Sequence, residues 1–297
     1  KIRFSHPGSI MPAYSDPTGL AQFNVTEISH IISYAQIDLG GLTPNPGGGT
    51  PPTTPEELAM IALGGRLFDN WISEKQVAAP PVDNPLWVMR DQTKTVVNNG
   101  TGVTTWRCKE CHGWDYRGKD GAYADGSSHY TGFPGVWNTT LTEEGVILHL
   151  TNGFYMPQLP GGAATVHNFG GLLTAEEIQA LAKFIKYGVV DTTALISDSG
   201  LIRRTQDSYA NGQELFSIKL NVPNGNCAFC HDADGRKFAP DVILGDIAVN
   251  NPWEMLHKVR FGQPPFAVSE MSGLMEIGLT LDDAVDVVFY SQGLPQQ

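Results

Sequence analysis

The sequence predicts a mainly α-helical protein, with an extended N-terminal arm followed by two helical units of similar layout. Three observations carry that prediction. Apolar residues recur at helical spacing in several capped segments, β signals are few, and the order of parts in residues 55–192 returns in residues 193–297. Hydrophobic residues make up 41% of the 297 and charged residues 17%, as in a globular protein. No stretch approaches the roughly 18 uninterrupted apolar residues that a membrane-spanning helix needs. The net charge of -12 argues against nucleic acid or an anionic membrane as a partner and suits a protein partner with a basic surface.

Residues 1–54 form the arm. One short helix is expected over 25–35, and the glycine- and proline-rich run 40–52 reads as a linker. The arm belongs to neither unit and is expected to pack on the body or on a neighbouring subunit, which makes it a candidate for self-assembly.

Each unit opens with a helix, over 55–71 in the first and 208–220 in the second. A short helix follows at 143–150 or 253–259, then a glycine-rich turn and a methionine. Each unit closes with a helix introduced by a capping box. Thr174-Ala175-Glu176-Glu177 and Thr280-Leu281-Asp282-Asp283 both place an acid three residues after threonine. Ile178, Leu181, Ala182 and Ile185 form the apolar face of one closing helix, and Ala284, Val285, Val288 and Phe289 that of the other. The polar segment 191–207 joins the units.

The four cysteines fall as two pairs, Cys108-Lys-Glu-Cys111-His112 and Cys227-Ala-Phe-Cys230-His231. C-x-x-C-H is the attachment signature of c-type haem, with two thiols for the vinyl groups and an adjacent histidine for the iron. A four-cysteine zinc site would not explain the two histidines, and its pairs would lie closer together. A thioredoxin-like motif would need a βαβ context. Two covalently bound haem c groups are therefore expected, and no cysteine remains for a disulfide.

Haem attachment of this kind takes place outside the bacterial cytoplasm. The chain opens on Lys1-Ile2-Arg3-Phe4 without an apolar core, so it is expected to be a mature periplasmic or extracellular protein whose signal peptide has been removed.

A thioether in the second axial position keeps the iron six-coordinate and raises its potential, which suits electron transfer. In the first unit the candidate is Met156, in Gly153-Phe154-Tyr155-Met156-Pro157. In the second it is Met271, with Met275 as the alternative. His149 and His257 hold equivalent places in the repeat and are expected to share a packing or hydrogen-bonding role. His6, in the arm, is a candidate ligand for a haem of a neighbouring subunit. Trp106, Trp114 and Phe229 are expected to pack around the haems.

On these motifs both units resemble class I cytochrome c domains, over roughly residues 55–190 and 205–295. The resemblance implies a Gly-x-x-x-Phe contact between the opening and closing helices, which Gly64 or Gly65 with Phe68 and Gly212 with Phe216 would supply. Tyr187 and Tyr290 would be the aromatics of the closing helices. The stretch 105–123 is similar to a haem-site sequence of some bacterial multidomain cytochromes. This chain departs from the pattern in a long insertion, about 72–105, and in Ser272 where proline usually follows the methionine. The resemblance implies an electron carrier between a redox donor and acceptor, rather than an enzyme. The alternative is a dihaem peroxidase or a sulfur-compound dehydrogenase. The first needs an open haem face and the second a further cysteine.

Overall fold

The computed structural model describes residues 54–157, 159, 162, 164–202, 204–218, 226–266 and 269–297, without the side chains of 266, 269 and 270. The arm, its expected helix and linker, and His6 lie outside the described residues. What is described is mainly helical, with two short antiparallel hairpins that the sequence reading did not anticipate. No described helix is long and apolar enough to cross a membrane.

Helix α1, Pro55–Lys75, starts where Thr54 and Glu57 form a reciprocal capping box and proline stands in the first turn. Helix α2 is the short Cys108–His112 turn, and α3 is Glu143–Asn152. Strands β1, Phe154–Met156, and β2, Ala164–Val166, form the first hairpin. The closing helix α4, Ala175–Lys183, has the expected capping box and runs on into a π turn at Phe184–Gly188. The second unit repeats this order with one helix added after its motif. Helix α5 is Gln206–Ser217, α6 is Cys227–His231, α7 is Leu244–Asn250 and α8 is Pro252–Phe261. Strands β3, Gly262–Phe266, and β4, Ser269–Ser272, follow, and α9, Leu281–Ser291, closes the unit behind its own capping box.

The opening and closing helices of each unit cross at a glycine. A Cβ on Gly64 would lie 2.1 Å from the Ala180 carbonyl oxygen and 2.6 Å from Phe184 Cβ. A Cβ on Gly212 would lie 1.9 Å from the Asp286 carbonyl oxygen and 3.0 Å from Tyr290 Cβ. Gly64 and Gly212 are therefore equivalent, and so are Phe184 and Tyr290. Tyr187, expected to be the aromatic of the first closing helix, instead lies one turn beyond Phe184 and is only half-buried, with Lys183 Nζ 5.7 Å from its ring centre. The phenylalanine four residues after each glycine fills the crossing. Phe68 meets Phe184 at 5.2 Å between ring centres, and Phe216 meets Tyr290 at 5.3 Å. Apolar faces of both closing helices are buried as the periodicity predicts, except that Phe289 is half-buried and Val287 takes a core place.

Gly65 faces the other way, toward the second unit. A Cβ there would lie 2.5 Å from Phe261 of α8, whose ring packs in the first unit's core. Beside it His257, with no exposed surface, accepts the Tyr116 hydroxyl proton at Nδ1 (2.9 Å) and donates from Nε2 to the Gly65 carbonyl (3.0 Å). Arg66 completes the seam, donating to Glu276 at 2.7 Å, to the Phe261 carbonyl at 3.1 Å and to Glu74 at 2.9 Å.

Two predictions follow from these contacts. Gly64→Ala and Gly212→Ala should each lower the unfolding free energy by roughly 1–3 kcal/mol, because backbone oxygens cannot retreat. Gly171→Ala, which meets open space, should stay within about 0.5 kcal/mol in the same denaturant titrations. The second concerns His257, whose pKa is lowered to about 4, first because burial penalises the charged ring. The unfolded chain takes up a proton near the ordinary histidine value that the folded state refuses. Stability from neutral His257 is therefore complete above about pH 6.5 and is lost as pH falls toward 4. His257→Gln should flatten that part of the stability–pH curve, and an unchanged slope would show that the proton goes elsewhere.

Candidate functional site

Residues just before the first C-x-x-C-H helix are tied to the end of α1. Helix α1 departs from helical geometry at Asn70, which turns its last residues toward the motif. Arg107 pairs with the fully buried carboxylate of Asp69 and donates from Nε to the Asp69 carbonyl at 2.9 Å. Trp71 Nε1 donates to the Trp106 carbonyl at 2.9 Å. The insertion 72–105 adds a third tie. Asn98 accepts no slack: its backbone N–H donates to the Tyr130 carbonyl at 2.7 Å and its side chain to Glu110, inside the motif, at 3.1 Å.

These ties place α2 on the rim of an apolar cavity of about 270 Å³. Phe68 contributes from α1, and Asn84, Leu86, Trp87 and Trp106 from the insertion and the turn after it. Phe133, Pro134 and Val136 come from the loop beyond the motif, and Val146, His149 and Leu150 from α3. Phe154, His167 and Phe169 come from the hairpin and its exit, and Leu181 and Ile185 from α4. Cys108, Cys111 and His112 stand together on the same wall. The insertion thus contributes Asn84, Leu86, Trp87 and Thr105 to the cavity, while much of the rest of it is exposed.

The chemistry of the donors can be read from their neighbours. Burial pushes both thiols up to about 12, so both are protonated at neutral pH. Burial likewise lowers the pKa of His112 and holds its ring neutral. His112 Nδ1 lies 2.7 Å from the Pro134 carbonyl oxygen. The carbonyl can only accept, so the proton sits on Nδ1 and Nε2 keeps its lone pair for a metal. Two adjacent thiols, one oriented neutral imidazole and an apolar cavity are the donor set that a covalently attached haem requires, and the first site fits it. Among the described residues no three His, Cys, Asp or Glu side chains converge into a metal cage. The two C-x-x-C pairs pack against separate cores, so they do not form one tetrahedral zinc site.

The second site repeats the local geometry of the first. Gly118 N–H donates to the His112 carbonyl at 2.8 Å, and Lys237 N–H to the His231 carbonyl at 3.2 Å. Asp115 and Asp234 each accept from the N–H two residues on, at 3.1 Å. Gly113 and Asp232 both have positive φ, of 78° and 63°, as do Tyr116 and Gly235. Asn226 caps α6 by accepting from Phe229 N–H at 2.7 Å. Burial raises the Cys227 thiol to about 11. His231 differs from His112 in that its buried Nδ1 has no hydrogen-bond partner among the described residues.

The expected methionines occupy unlike places. Gly153 and Gly262 both end a helix with positive φ and lead into a hairpin, so these two turns do correspond. Met156 lies on the first strand of its hairpin and Met271 on the second strand of the other. Met156 shares the face of Phe154, one pleat farther along, and is not among the residues that line the cavity. Met271 borders a small polar recess with Arg66, Glu74 and Glu276 at the seam, and Met275 packs against the first unit's core. Of the expected packing aromatics, Trp106 lines the cavity. Trp114 is buried 5.0 Å from His257, outside the cavity lining, and Phe229 is exposed. His149 and His257 do not share a role, since His149 stacks on Phe154 (5.2 Å, 23°) in the cavity wall while His257 bridges the units.

The sequence reading counted His167 among the histidines that could displace a methionine but gave it no role of its own. His167 lines the cavity, its ring centre lies 6.2 Å from that of His112, and its buried Nδ1 has no partner among the described residues. Burial, then the nearby His112 and His149, lowers its pKa to about 3, so the ring is neutral. Aligning the two units on their capped closing helices, instead of on methionine, would have brought His167 to notice. No model of a known protein family, no curated protein and no solved structure matches the chain.

Removing the arginine that faces Asp69 tests how the site is held. Arg107→Ala leaves a fully buried carboxylate without its cation and should cost about 3 kcal/mol or more in denaturant unfolding. A cost below about 1 kcal/mol would mean that the pair does not anchor the motif.

Proposed function

We infer that this protein is a dihaem c-type cytochrome that carries electrons between redox partners, with one haem bound at Cys108, Cys111 and His112 and the other at Cys227, Cys230 and His231. The observation that carries the reading is the orientation of His112. Its Nδ1 proton is held by the Pro134 carbonyl, beside two thiols and over an apolar cavity, which leaves Nε2 for an iron. The repeated turn geometry after His231 extends the reading to the second unit.

When bound, the haem supplies the one-electron chemistry, and the chain sets its attachment, burial and axial ligands. Cys108 and Cys111 would hold the first group through thioethers. The apolar walls from α1, α3 and α4 would exclude water, which favours the less charged state of the iron. His112, fixed by its carbonyl partner, would supply Nε2 to the iron of the first group. Met271 would supply a thioether to the second. The units share a seam built from Phe261, His257 and Arg66, so the two groups would be carried by one packed body. The acidic surface suits a basic redox partner, and export from the cytoplasm is part of the proposal because haem of this type is attached outside it.

Intact-mass and pyridine-haemochrome measurements on exported protein should find two covalent haems per chain. Cys108→Ser with Cys111→Ser should leave one, and the same pair of changes at Cys227 and Cys230 should also leave one. A chain that matures without covalent haem would sink the proposal. Reversible one-electron titration of both groups, with no turnover of peroxide or sulfur compounds, would separate a carrier from an enzyme.

A further inference from the structure

We propose that His167, not Met156, is the second protein ligand of the haem attached at Cys108 and Cys111, so that the first unit holds its iron between two imidazoles. The inference rests on the haem reading above and deepens it.

Distance is the first argument. Two imidazoles on opposite sides of one iron, each nitrogen about 2 Å from the metal and about 1.1 Å from its ring centre, place those centres about 6 Å apart. The His112 and His167 ring centres are 6.2 Å apart, with the planes at 82°. Both rings line the same cavity.

The surroundings of His167 supply the second. Its Nδ1 is sealed from solvent and has no hydrogen-bond partner among the described residues, a state that costs free energy unless a ligand or another use compensates it. Its backbone is in the left-handed region, φ 57°, which histidine adopts more readily than most residues but which still carries strain. The preceding strand residue, Val166, is buried and paired with Phe154, so the turn at His167 is anchored where it aims the ring. His149 lies 5.2 Å from His167 and stacks on Phe154 more closely, at 5.2 Å and 23°, than His167 does, at 6.0 Å and 29°.

Met156 has no comparable position. It is paired with Ala164 farther along the hairpin, outside the cavity lining. A bis-imidazole iron has a lower potential than one with a thioether ligand. With Met271 on the second iron, the first haem would be the stronger reductant, and electrons would run downhill from the first unit to the second.

The test uses purified dihaem protein, oxidised, with electron paramagnetic resonance, near-infrared magnetic circular dichroism and a redox titration. Met156→Leu should leave both low-spin signals and both potentials unchanged. His167→Ala should turn one haem high-spin, with added imidazole restoring the low-spin form. His167→Met should add a thioether-to-iron band and raise one potential. The proposal is overturned if Met156→Leu abolishes a thioether band or yields a high-spin haem while His167→Ala matches the wild type. If the His167 variants do not accumulate, the wild-type spectrum decides. A bis-imidazole signal for one haem, retained in Met156→Leu, supports the proposal, and thioether bands accounting for both haems overturn it. Protein without covalent haem would defeat the broader reading, whereas two covalent haems with Met156 on the iron would defeat this inference alone.

Discussion

The close approach of the opening and closing helices at Gly64 and Gly212 is the constraint on which each unit depends. At both crossings a backbone carbonyl, of Ala180 or Asp286, occupies the space that a side chain would need. The glycines carry a conformational cost in mid-helix, and the contact they permit offsets it by letting whole apolar faces meet. Once the helices touch there, Phe68 and Phe184 pack in one unit and Phe216 and Tyr290 in the other. In the first unit Leu181 and Ile185 then become a wall of the cavity.

Everything around the cavity hangs from that crossing. The far end of α1 holds the segment before Cys108 through the Asp69–Arg107 pair and the Trp71–Trp106 hydrogen bond. The loop beyond the motif returns to the His112 imidazole through Pro134. Three separate stretches thus determine which way one histidine points. The second unit uses the same crossing and the same turn after its histidine, without an equivalent of the Pro134 contact, since His231 Nδ1 is unpartnered among the described residues. The two C-x-x-C-H turns are thus alike in backbone and differ in what their histidines meet.

The adjacent glycine, Gly65, shows how one helix serves two neighbours. Gly64 admits the closing helix of its own unit and Gly65 admits Phe261 of the other. The sequence reading left open which of the two makes the helix contact, although only Gly64 stands four residues before Phe68. His257 and Arg66 then spend their polar groups across the seam. This makes α8 part of the first unit's core, which no pattern within either half foretells.

Capping boxes at Thr174 and Thr280, the helical faces they introduce, the glycine–phenylalanine pairs and both C-x-x-C-H motifs were legible in the sequence because each is a local pattern of neighbours along one helix or turn. The hairpins were not, since residues 154–156 and 164–166 are too short and too mixed to alternate clearly. Nor was the place of His167. Its proximity to His112 arises from a hairpin, a left-handed turn and a helix packing around one cavity, and these bring together residues remote along the chain. The sequence by itself determined what chemistry the cysteines and their histidines point to. Only the tertiary structure decided which ring faces His112, because that depends on how the surrounding elements pack.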